Sequence, residues 1–114
     1  LGFGTSQLAN TDHKHTGVKY VPINEARKIL QTAVDNGINF FDTSPDYGNA
    51  ESLVAEIKKT YGNEIIVATK GGLKIDGTRD FSPSFLEKQV EESIKALNVD
   101  CLDIFQYSIG RFLK

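Results

Sequence analysis

The chain has 114 residues, 39% of them hydrophobic and 25% charged, with a formal net charge of −2; this is the make-up of one globular domain and excludes a disordered or fibrous chain. Acids and bases are interspersed, so no basic stripe offers a footprint for a nucleic acid or an anionic membrane, and no apolar run approaches the roughly 18 residues of a bilayer span. The single cysteine, Cys101, excludes an internal disulfide, and with no secretory signal in the chain a reducing, cytoplasmic setting is the default expectation.

There is no methionine, and the chain opens directly on the strand-like run "LGFGT", so it reads as incomplete at its N-terminus. Leu1–Thr5 predicts a first strand, and the polar stretch "SQLANTDHKHTGVKY" a loop. A helix follows from about Asn24, with Ala26, Ile29, Leu30, Ala33 and Val34 spaced to bury one face. Gly37 ends it, because glycine accepts the left-handed conformation that closes a helix. Residues 38–43 predict the second strand. After a Pro/Gly-rich turn, a second helix carries Leu53, Val54, Ile57 and Tyr61 on one side and stops at Gly62.

The near-continuous apolar run from Ile65 to Ala68 suits a strand covered on both faces of a parallel sheet, and it ends at Lys70. The segment "GGLKIDGTRDF" reads as a loop, either a plain surface connection or a lid. Ser82 and Pro83 then supply an N-cap and a first helical residue, opening a helix with Leu86, Val90, Ile94 and Leu97 inward. The last strand is "CLDIFQYS", with Cys101 read as a small core residue at its start.

The order βαβαβαβ with short connections predicts successive strands side by side in a parallel sheet. A doubly wound sheet and a (β/α)₈ barrel both have this pattern. "GFGTSQ" carries the first two glycines of a dinucleotide-binding fingerprint, but Gln7 stands in place of the third and a long loop precedes the helix. A barrel instead places its functional groups at the C-terminal ends of its strands, and Asp42, Lys70 and Ser108 occupy such ends.

Alternation along the strands groups Phe40 with Asp42, Ile66 with Ala68 and Lys70, and Ile104 with Gln106 and Ser108. If these faces point to a barrel axis, Asp42 and Lys70 pair at its mouth with Tyr47 folded over them. A tyrosine needs help to exchange a proton at neutral pH. A nearby ammonium stabilises phenolate, and a carboxylate holds that ammonium charged and oriented. The set suits protonation of a carbonyl oxygen while a nicotinamide supplies hydride.

Four stretches together resemble the aldo-keto reductases: "LGFGT", "GINFFDTSPDYGNAE", "IIVATKGG" and "ESIKALNVDCLDIFQ". The second is the specific one. The resemblance implies an α/β fold, the N-terminal half of a (β/α)₈ TIM barrel with four parallel strands and three intervening helices, filling residues 1–114 and incomplete at both ends. It implies NADP, or NAD, as cofactor and a small-molecule aldehyde or ketone as substrate. It also implies Tyr47 as general acid, Lys70 as its activating neighbour and Asp42 as the lysine's partner, with Thr5, Ser6 and Asp42 near the nicotinamide. The family's histidine at the end of the fourth strand falls on Ser108 in this chain. A non-catalytic scaffold or regulatory subunit is therefore the alternative, and the 114-residue piece is expected to be inactive and to self-associate through open sheet edges. Two imidazoles, His13 and His15, on a loop without cysteines make a weak metal site, and none is expected.

Overall fold

Strands and helices alternate along the chain in the order β1 (Gly2–Gly4), α1 (Ile23–Asp35), β2 (Phe40–Asp42), α2 (Ala50–Tyr61), β3 (Ile66–Gly71), α3 (Pro83–Leu97) and β4 (Ile104–Tyr107). This is a computed structural model, and it describes residues 1–8 and 21–109. His13 and His15 lie outside the described residues. The four strands form one sheet in the order β1-β2-β3-β4, and every pair is parallel. Four parallel strands joined by three helices are the N-terminal half of a (β/α)₈ barrel.

Strand register sorts the side chains into two faces. Phe3, Phe41 and Val67 stand level with one another and join Leu30, Leu53, Val54, Ile57, Ile65 and Leu97 in the core between sheet and helices. Phe41 is fully buried and anchors this layer. The opposite, axis-facing side carries Gly4, Asp42, Ala68 and Ile104 at one level, with Lys70 and Gln106 at the next. Two of its apolar members are less covered, Ile66 being 38% and Ile104 39% exposed, while Ala68 is fully buried.

The helix stops fall where glycine allows them, at Gly37 with φ +89° and Gly62 with φ +63°. Four local expectations change. Ile29 is 39% exposed, the buried residues of α1 being Ala26, Leu30 and Ala33. On α3 the buried stripe is Gln89, Ser93 and the expected Leu97; Leu86 and Val90 instead line an open groove with Phe81, Phe105 and Tyr107 at the β4 edge. Cys101 is exposed rather than in the core, since the chain bends before β4 begins. Ser82 makes no side-chain cap bond, although its N–H donates to Asp80 Oδ1 at 2.9 Å.

The loop after β3 has its own order. Leu73 and Arg79 bridge in antiparallel fashion, and the Asp80 N–H donates to the Gly72 carbonyl at 2.8 Å. The segment doubles back as a small hairpin above the sheet.

Candidate active site

Lys70, on the axis face of β3, places its Nζ 2.7 Å from Asp42 Oδ2 on the neighbouring strand. The same ammonium donates to the Thr43 carbonyl at 2.9 Å and lies 5.0 Å from the centroid of the Tyr47 ring. Asp42 is steadied from the other side as well, its Oδ1 accepting from Gln106 Nε2 at 3.3 Å. The side chains of Lys70 and Asp42 are 18% and 36% exposed, so the pair adds at most about 1 kcal/mol to stability. Its consequence is geometric: it fixes a cation over an aromatic face.

Tyr47 owes its place to the turn between β2 and α2. Its N–H donates to the Ser44 carbonyl at 3.1 Å, and its own carbonyl accepts from the Ala50 N–H at 2.9 Å. Within that turn the Ser44 hydroxyl bonds both the Asp46 carboxylate and its N–H, each at 3.3 Å. Burial pushes the Asp46 carboxyl above its usual range, against the opposing pull of Ser44, Arg79 and Lys70.

Among the expected cofactor contacts, Thr5 is fully buried, with its hydroxyl donating to the Asp42 carbonyl at 3.0 Å. It joins β1 to the strand that carries Asp42. Ser6 is half-buried at the start of a single 3₁₀ turn, Ser6–Leu8. Gly4 stands beside Asp42 on the axis face, and a Cβ built there would meet nothing within 4 Å; that side of the carboxylate is open. Ser108 is half-buried past the end of β4, its N–H donating to the Gly71 carbonyl at 2.7 Å.

Two further residues belong to this neighbourhood. Gln106 could have been found from strand alternation, which already put it on the axis face. Glu51 closes the D-T-x-x-x-Y-G-x-x-E stretch and is only 6% exposed; its Oε2 accepts from the Thr69 hydroxyl at 2.8 Å. Burial raises its carboxyl above the usual range, Asp46 adds to the rise, and Thr69 and Ser93 oppose it. Gln89 holds the hairpin base, accepting from the Gly72 N–H and donating to the Leu73 carbonyl at 3.2 Å.

The model of the aldo/keto reductase family matches residues 1–109. The chain is 33% identical over 107 residues to the aldo-keto reductase str7 of Strobilurus tenacellus, covering 92% of this chain and 32% of that protein. It is 35% identical over 121 aligned positions to the aldo-keto reductase yakc [NADP(+)] of Schizosaccharomyces pombe, covering 98% of this chain and 33% of that protein. A solved Pseudomonas aeruginosa structure described as an aldo-keto reductase superposes with a TM-score of 0.79 at 27% identity, over 96% of this chain and 43% of its own. The chain thus spans about a third of the length of the curated relatives it matches.

Proposed function

The chain belongs to the aldo/keto reductase family, and from that membership we propose that it carries the proton-donating part of a site that reduces an aldehyde or ketone to an alcohol. One observation carries the reading: Lys70 is held 2.7 Å from Asp42 with its ammonium 5.0 Å over the Tyr47 ring. Tyr47 is the general acid that gives its proton to the substrate oxygen. Lys70 stabilises the phenolate charge that builds up as the proton leaves, and Asp42 keeps the lysine charged and aimed.

The open axis face beside Gly4 and Asp42 suits the approach of a flat ring, and the yakc relative's name carries NADP(+); NADP is the cofactor proposed, with NAD possible. When bound, the nicotinamide supplies the hydride. Asp42 then borders the ring, Thr5 and Ser6 shape the wall beside it, and Gln106 orients Asp42. A carbonyl compound is the substrate class.

The test is reduction of a generic aldehyde by a full-length protein carrying these residues, followed at the NADPH absorbance. Replacing Tyr47 by Phe should slow it by roughly 10²–10⁴-fold, the usual contribution of a positioned acid. Equal rates would remove the proposal.

Ser108 favours a second reading, a non-catalytic relative that keeps the barrel half for contacts. Its hydroxyl is shorter than an imidazole and cannot reach the same points. Introducing histidine by Ser108→His separates the two: a reductase gains rate, whereas a scaffold stays silent. On either reading the 114-residue chain alone is proposed to be inactive.

A further inference from the structure

Between Asp42 and Glu51 the proposed reaction employs Asp42 and Tyr47 and leaves Glu51 without a part. Yet Glu51 is 6% exposed, and none of the ion pairs among the described residues involves it. Burying a carboxylate without a cation is costly. Mere helix-to-sheet packing does not require it, since Leu53 and Val54 of the same helix supply apolar contact. What the carboxylate supplies is direction: Oε2 accepts from the Thr69 hydroxyl at 2.8 Å, and a hydrogen bond fixes distance and angle where apolar surfaces slide.

The two ends of that bond are informative. Thr69 immediately precedes Lys70 on β3, its side chain on the helix face and that of Lys70 on the axis face. Glu51 sits in the first turn of α2, and the Ala50 N–H just before it is bonded to the Tyr47 carbonyl at 2.9 Å. A path of covalent and hydrogen bonds therefore runs from Tyr47 through Ala50, Glu51 and Thr69 to Lys70. It closes a ring through the 5.0 Å contact of Lys70 with the tyrosine.

We infer that Glu51 is a positioning residue, whose bond to Thr69 holds the Tyr47-bearing turn in register with the strand end that carries Lys70. The inference rests on the roles given above to Tyr47 and Lys70. The lock needs an acceptor at Oε2, not a charge, so glutamine can replace Glu51 and alanine cannot.

The experiment is nuclear magnetic resonance of a full-length protein carrying these residues, with labelled lysine side chains. The Tyr47 ring current displaces the ε-methylene signal of Lys70 upfield, and Tyr47→Leu assigns that displacement by abolishing it. Glu51→Gln should keep the displacement. Glu51→Ala and Thr69→Val should each lose at least half of it, with the remaining amide spectrum folded. If the alanine variant unfolds, Thr69→Val decides, because valine is near in shape and favours strands. A wild-type displacement unmoved in Thr69→Val overturns the inference alone. A wild-type chain with no displacement overturns it together with the proposed site.

Discussion

Asp42, Lys70 and Tyr47 meet because two neighbouring strands and one turn each deliver a side chain to the same end of the sheet. Lys70 donates to both Asp42 and the Thr43 carbonyl, so removing its charge frees a carboxylate and a carbonyl together. Lys70→Met in a full-length protein should lower the rate of carbonyl reduction at least about 10²-fold, read from NADPH consumption. Glu51 and Asp46 make a prediction about pH. Burial raises both carboxyls, so their folded forms bind a proton at pH values where the unfolded chain has released it. The stability they contribute is complete below the unfolded carboxylate range and is lost as pH rises through the folded value. Glu51→Gln should therefore raise the urea midpoint at neutral pH and leave it unchanged in acid. Asp76 and Asp80 act with the opposite sign: bonds from Thr78 and Ser82 lower them, and their support fades as pH falls. The positions of Asp42 and Lys70 were legible from alternation alone. Glu51 was not, because an acid in the first turn of a helix ordinarily faces water, and only the fold shows Thr69 waiting opposite it.

The elements were legible where periodicity or a glycine marked them, as for α1, α2 and the stops at Gly37 and Gly62. The face of α3 was not. Apolar spacing pointed to Leu86, Val90, Ile94 and Leu97; only Leu97 of these is fully buried, and the rest of the buried stripe is Gln89 and Ser93. The reason is local: the backbone of Gly72 and Leu73 needs partners, and Gln89 supplies both an acceptor and a donor. The same loop sets a packing prediction. Gly72 has φ +107°, and a Cβ there would overlap the Phe81 ring. Gly72→Ala should destabilise the chain by about 1–3 kcal/mol, measured by urea unfolding. Gly4→Ala, which meets nothing within 4 Å, is the control and should be near neutral.

At the scale of the molecule, β1 and β4 are each paired on one side only among the described residues. Ile66 and Ile104 stand 38% and 39% exposed on the axis face, and Tyr107 is 63% exposed at the edge. Unpaired edges beside uncovered apolar side chains favour association. Size-exclusion chromatography of the 114-residue chain should show oligomers; a folded monomer would contradict the expectation. The barrel direction of the sheet could be read in advance because polar residues fell at strand ends. The central claim, that Lys70 acts through Tyr47, is tested most directly by NADPH-dependent aldehyde reduction in a full-length protein bearing Tyr47→Phe, Lys70→Met or both. Groups acting as one unit do not lose rate additively. The account predicts that the double variant is no slower than Tyr47→Phe alone, and a loss equal to the product of the two single losses would contradict it.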